Sequence, residues 1–466
     1  MVGELIGKYA FFCYNYLRIK DLGYDFMTKE KERNVVIRKS NFELLRIFAM
    51  FLIVASHWGY MTNGVDMQVA TQSNYLFYAM FRSFGQVGVT LFIFISGYFL
   101  CKSKFKINSF VRLLCQQIFY VLLTFGIACI IRPILYGEDF FTFNNLLKSL
   151  TIFSGNYWFL AFYYIIFLIH PFINKMIEKL NQKQFLFLLI VLFFCCVIMP
   201  SISMRALNNC SAFVFWIFAY LVGSFLRLNP NVLKNKWFTI IGLGIALCAK
   251  FLFFLYFQYT SEFRNTVCCF FISLYIFVLF RDLKIESKFI NVIASSMLGV
   301  YLLHEPEFLR YTIWQDVIDM NSMMGEWYFI LVSIGYTLGV FVVCICIELL
   351  RKYLLERPIF KRIENKFNAT FEKVNTFFPT VENIECENKI QFFDLNVLIM
   401  MMTIIVVSIF TLGGWVEYIL GEYLFLAVSV VVWSIWYLVY KVFLNTDNSN
   451  RDVKETKKKA NKSNNE

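Results

Sequence analysis

Residues 42–59 read FELLRIFAMFLIVASHWG, an apolar run with an arginine near its start and a histidine near its end. A membrane-spanning helix needs about 20 mostly apolar residues, and one facing lipid has no use for either polar group. Eleven residues separate Arg46 from His57. At about 100° per residue they fall about 20° past three full turns, on one face and about 16 Å apart along the axis. Glu43, three residues before Arg46, is placed to pair with it. Such a face belongs against a polar cavity inside a bundle. The alternatives are an arginine that snorkels to headgroups and a histidine satisfied by packing near the interface.

The rest of the chain is built alike. Its 466 residues are 59% hydrophobic, 20% aromatic and only 16% charged, with mean hydropathy +0.60. One large soluble domain would need far more polar surface. The apolar runs predict spans near 42–61, 83–101, 111–135, 157–178, 184–200, 211–228, 237–257, 265–281, 290–309, 327–350, 395–415 and 420–443. The expected fold is therefore an all-α polytopic membrane helical bundle of about ten core spans plus two C-terminal spans. Every second loop is basic, as in CKSKFK, NKMIEKLNQK, RLNPNVLKNK and RDLKIESK, and the loops between are nearly free of lysine. The positive-inside rule then places both termini in the cytosol. The same pattern accounts for the net charge of +12 without any nucleic-acid partner. The thirteen cysteines lie mostly in apolar runs with no C-x-x-C, and read as small apolar fillers. No metal site is expected.

The chain divides into a cytosolic or interfacial segment (1–37), a membrane core (38–352), a cytosolic loop (353–394), two extra transmembrane helices (395–444) and a disordered basic tail (445–466). It has three histidines. His57 ends the first span, and His304, in SSMLGVYLLHEP, lies toward the same, outer side of the ninth. The two are candidates to share a cavity. His170, in FLIHPF, reads as interfacial packing. The second span, FGQVGVTLFIFISGYFL, brings Ser96, Gly97 and Tyr98 beside Arg46, and its Gly85 and Gly88 allow close helix contact near the level of His57. Ordinary small-residue packing explains that pattern equally.

The R-x10-H pair, GVTLFIFISGYF in the second span, YWFLAFYYIIFLIHPFI in the fourth and GVYLLH in the ninth together resemble acyltransferase family 3. These are bacterial membrane-bound acyltransferases that modify surface polysaccharides. The resemblance covers roughly residues 38–352, and R-x10-H is its most specific piece. It implies transfer of an acyl group, foremost acetyl, from cytosolic acyl-CoA to a hydroxyl of a surface polysaccharide or its lipid-linked precursor. Acetyl-CoA would be a substrate, with no cofactor bound permanently. The location implied is the bacterial inner membrane, with the lipid bilayer, a carbohydrate acceptor and polysaccharide-assembly proteins as partners. Arg46 and His57 then form the catalytic pair, with His304 and Glu305 as second-rank catalytic or acceptor-side groups. Arg46, Ser96, Lys102 and Arg112 form the donor-binding set.

Two departures qualify the likeness. Many relatives carry R-x-x-R just after the second span, whereas FKINSFVRLLCQQ leaves Arg112 facing Cys115, with Lys102, Lys104 and Lys106 as substitutes. The hydrolase-like domain fused to some relatives is not expected here.

The residue chemistry is consistent with this. Transfer to a hydroxyl needs a base near neutrality, which imidazole supplies; histidine can also carry the acyl group as a nucleophile. Arginine and lysine suit the phosphates of CoA. Trp58 and Tyr60 are placed to stack on a sugar or to anchor the interface. The competing function is a transporter or flippase for a glycolipid or polysaccharide precursor. Against it stands the lack of repeat symmetry and of helices broken at matching places in two halves.

Overall fold

A computed structural model describes residues 40–61, 70–137, 140–150, 157–198, 211–257, 267–306 and 308–380. The segment 1–37, the spans at 395–415 and 420–443 and the tail from 445 lie outside them. Every regular element among the described residues is helical. The helices are α1 (Ser40–Met61), α2 (Gln72–Ser83), α3 (Gly85–Leu100), α4 (Ile107–Tyr136), α5 (Phe143–Leu150), α6 (Trp158–Lys179) and α7 (Gln182–Phe193). There follow α8 (Ser211–Leu228), α9 (Lys236–Phe257), α10 (Val267–Arg281), α11 (Lys288–Ala294), α12 (Met297–His304), α13 (Phe329–Arg351) and α14 (Arg357–Asn375). Among the described residues, five stretches are long and apolar enough to cross a membrane: Ser40–Tyr60, Gln72–Leu100, Ile107–Tyr136, Trp158–Lys179 and Phe329–Leu354. Four shorter apolar helices accompany them. The protein is a helical membrane protein.

α1 and α3 form the middle of the bundle. α1 packs on α2, α3, α10, α11, α12 and α13, while α3 also packs on α8 and α10. Of the most apolar window of α1, 61% is buried, against 28% for α4 and 22% for α13. Protein surrounds α1 on most sides, so it can carry charged side chains at low cost. α4 instead turns Ile118, Leu122, Ile130 and Ile134 outward at spacings of four and eight, one stripe of the kind lipid covers.

Side chains pin the first turn of α1, where four backbone amides lack helical partners. The Asn41 amide donates to the carbonyls of Phe280 and Arg281 at 2.9 and 3.0 Å. Ser40 Oγ donates to the Ser287 carbonyl at 3.3 Å and accepts from the Ser287 amide at 2.8 Å. These bonds fasten α1 to the end of α10 and the start of α11.

Small residues let α3 approach its neighbours. A Cβ on Gly97 would overlap the Tyr220 carbonyl of α8, and one on Gly223 would overlap the Phe94 carbonyl of α3. Ser224 Oγ donates across the same contact to the Gly97 carbonyl at 3.2 Å. Gly85 lies against Ser56, and Gly88 against the backbone of Ala49. Gly97→Val is expected to force α3 and α8 apart and to lower the melting temperature of the detergent-solubilised chain. Gly126→Ala, where the added carbon meets open space, is the control; equal melting of the two variants would refute the close-contact role.

Three boundaries differ from the sequence expectation. The span read as 83–101 is the second part of a longer unit, Gln72–Leu100, of 29 residues. The span read as 290–309 is broken. α11 stops at Ala294, Ser295 and Ser296 turn the chain, and α12 reaches only His304. Proline disfavours helical backbone in the residue before it, so Glu305, preceding Pro306, leaves the helix at φ −124° and ψ 34°. Trp314 Nε1 and the Tyr157 hydroxyl donate to the freed carbonyls of His304 and Leu302, both at 3.0 Å. The segment 353–394 also contains a helix, α14. It docks on α4, with Asn375 Oδ1 accepting from the Ile107 amide at 2.8 Å and Phe378 stacked on Phe105 at 3.8 Å.

Candidate active site

His57 and His304 are 247 residues apart in the chain, and their rings meet at one end of α1. α12 aims His304 at α1, and the proline-forced exit from that helix swings Glu305 to the same place. His57 Nδ1 lies 2.8 Å from His304 Nε2 and 3.4 Å from Glu305 Oε2. His304 Nδ1 lies 2.5 Å from the Val300 carbonyl. A carbonyl can only accept, so His304 Nδ1 carries a proton. With both rings neutral, His304 Nε2 is then an acceptor, and His57 Nδ1 donates to it. The lone pair of His57 is thereby placed on Nε2. His304 is fully buried and Glu305 is 4% exposed, whereas the His57 side chain keeps 16% of its surface open. The group therefore presents one accessible nitrogen backed by a buried ring and a buried carboxylate.

Arg310 completes this end. Its guanidinium donates to Glu305 Oε1 at 3.3 Å and to the Tyr311 hydroxyl at 3.0 Å. The sequence reading missed it because Arg310 sits in a short helical turn after Pro306 that runs into a π-helical turn at Thr312–Asp316, too short for a periodicity to assign it a face. Trp58, which the sequence offered as a sugar platform, is instead core: it is 2% exposed and packs on Phe81 and Phe329. Tyr60 holds the Arg82 guanidinium 4.4 Å from its ring.

The Ser40 end of the bundle holds Arg46. Its guanidinium donates to both carboxylate oxygens of Glu43, at 2.7 and 2.8 Å, and lies 5.9 Å from the Phe99 ring of α3. Tyr163 of α6 sits beside Ser96 and in the field of Arg46. Arg46 thus faces neighbouring helices, and Ser96 shares its surroundings, although the Ser96 hydroxyl donates to the Phe92 carbonyl at 2.8 Å. Arg227 joins the same end by donating to the Tyr98 hydroxyl at 3.3 Å; the sequence reading had counted it only as loop charge. Lys102 is exposed. Arg112 stands elsewhere, half exposed and 3.9 Å from Glu356.

Beside Arg112 lies a buried ionic cluster that the sequence reading also missed. Glu348 is fully buried. It accepts two bonds from Arg351 at 2.8 and 2.9 Å, one from Gln116 at 3.0 Å and one from the Tyr120 hydroxyl. Arg351 also donates to Glu356 at 2.6 Å. The i, i+3 spacing of Glu348 and Arg351 was the available signal; a single acid in an apolar run hid it. His170 is buried between Phe105 and Phe167, with Nδ1 2.5 Å from the Phe167 carbonyl, in a packing position.

A membrane helix bundle with an imidazole–carboxylate group at one end and arginines at the other has the parts of a membrane acyltransferase. Residues 39–349 match the acyltransferase 3 family, described as an acyltransferase domain, and the chain belongs to that family. The matched region contains Arg46, His57, His304, Glu305 and Glu348. No curated protein and no solved structure matches the chain.

Proposed function

We propose that this protein is an O-acyltransferase of a bacterial inner membrane, moving an acetyl group from cytosolic acetyl-CoA to a hydroxyl of a cell-surface polysaccharide or its lipid-linked precursor. The observation that carries this reading is the hydrogen-bonded pair His57–His304, with the Glu305 carboxylate 3.4 Å away, at the opposite end of α1 from Arg46. The basic loops put the Ser40 end in the cytosol, within a core of about ten spans. Arg46, with Arg227 and Lys102 nearby, meets the phosphates of CoA, while the thioester reaches toward His57.

His57 Nε2 takes the proton of the acceptor hydroxyl as its oxygen attacks the thioester carbonyl. An ester forms, the carbon–sulfur bond breaks, and the proton passes from His57 to the departing thiolate. His304 holds the ring in the working tautomer. The Glu305 carboxylate, 3.4 Å from Nδ1, faces the charge that develops on the imidazole. A preorganised carboxylate in a water-poor site stabilises such charge strongly.

The direct test is NMR of surface polysaccharide from cells with and without the gene. O-acetyl signals that depend on the gene support the reading; identical spectra, with the protein inserted, refute it. Arg46→Ala is expected to raise KM for acetyl-CoA by about 10-fold or more, the loss of one charge-assisted contact, with a smaller change for the acceptor. Arg46→Lys recovers part of this if charge suffices and none if the planar fork is required. An unchanged donor KM in Arg46→Ala would remove Arg46 from the donor site.

A further inference from the structure

We propose that His57 Nδ1, His304 Nε2 and Glu305 Oε2 form a binding site for a divalent transition-metal ion of the zinc class, and that an ion bound there blocks transfer. The effect on transfer rests on the function proposed above; the binding does not.

One ligand atom from each of the three residues lies within 4.8 Å of the other two. Two of the separations are 2.8 and 3.4 Å. A tetrahedral ion with bonds of about 2.0–2.2 Å keeps its ligand atoms about 3.3 Å apart. Both separations are within about 0.5 Å of that value, and a turn of the Glu305 side chain closes the third. His304 already makes the outer contact typical of a metal-bound histidine, its Nδ1–H on the Val300 carbonyl, which points the Nε2 lone pair inward.

Glu305 supplies the independent sign. Arg310 holds Oε1, but Oε2 is buried and accepts no hydrogen bond. A carboxylate oxygen buried without a donor is costly, and a cation between it and the two imidazoles removes that cost. Two imidazoles and one carboxylate suit zinc or cobalt better than magnesium or calcium. Arg310 opposes the incoming charge and keeps the ion exchangeable. Three protein ligands leave a fourth position for water.

Metal and relay exclude each other. His57 Nδ1 cannot coordinate an ion and donate a proton to His304 Nε2 at once. On coordination the neutral ring moves its proton from Nδ1 to Nε2, with no net gain or loss. Nε2, which would take the acceptor's proton, is then already protonated.

The test uses the full chain in detergent, stripped by a chelator and titrated with Co2+ by visible absorption and with Zn2+ by calorimetry. One ion per chain is expected, with an imidazole–carboxylate spectrum lacking thiolate charge-transfer bands. His304→Ala and the isosteric Glu305→Gln should each weaken binding at least about 10-fold, the low end of what losing even an outer contact costs. An unchanged size-exclusion profile shows that the variants fold. No binding, a thiolate spectrum, or full affinity in both variants overturns the site. In the activity arm, Zn2+ should inhibit acyl transfer reversibly on chelation. Binding without inhibition overturns the block, whereas absence of transfer in metal-free protein that still binds Co2+ counts against the proposed function alone.

Discussion

His57→Ala is expected to reduce acyl transfer by about 10²–10⁴-fold, the range that a positioned general base contributes, while the bundle stays assembled. The variant removes the one ring nitrogen left open. His304 cannot replace it, because it is fully buried and its Nδ1 is committed to the Val300 carbonyl. Assembly should survive because the packing around His57 comes from its neighbours: Trp58 fills the core, and Ser56 Oγ donates to the Arg82 carbonyl at 2.6 Å. The measurement is transfer from labelled acetyl-CoA in membrane vesicles, beside a melting curve of the same preparation. Transfer at the parental rate would end the assignment of His57. His304→Ala should give a smaller loss, since the base remains and only the partner that sets its tautomer is gone.

Glu348→Ala is expected to destabilise the bundle by about 3–5 kcal/mol, the usual cost of removing one member of a buried ion pair. Three groups lose their acceptor together: the Arg351 guanidinium, the Gln116 amide and the Tyr120 hydroxyl. Arg351 keeps only Glu356, which is more exposed. Gly299 also packs directly on the Glu348 carboxylate, so Gly299→Ala should lower stability by pushing on the same cluster. Glu348→Gln, which retains one acceptor oxygen, should fall between. Thermal melting in detergent orders the three; a Glu348→Ala variant that melts with the parent would show the cluster to be incidental.

How far the sequence revealed these features depends on how local each one is. The Glu43–Arg46 pair follows from a spacing of three on one helix, and the structure has it as one guanidinium nitrogen shared between both carboxylate oxygens. The close approach of Gly85 and Gly88 to α1 follows from the lack of side chains. That His57 and His304 lie toward the same side follows from counting spans. Their meeting at hydrogen-bond distance does not, because it depends on how α12 is cut short. The signals for that cut, Ser295–Ser296 and Pro306, stand in the sequence, but hydropathy averages across them and returns one span. Hydropathy likewise absorbed Glu348 into its apolar run. Arg310 carried no pattern at all: its place is set by a short helical turn after Pro306 and by the carboxylate it finds there.

Both Arg46 and His57 ride on α1, an uninterrupted helix tied at its first turn by Ser40 and Asn41. The distance between the two groups is therefore as constant as the pitch of the helix. A fixed separation lets one extended substrate span both groups without either having to move. On the proposed reading the coenzyme stays on its own side, only its thioester tip travels, and the bilayer keeps its seal throughout the turnover.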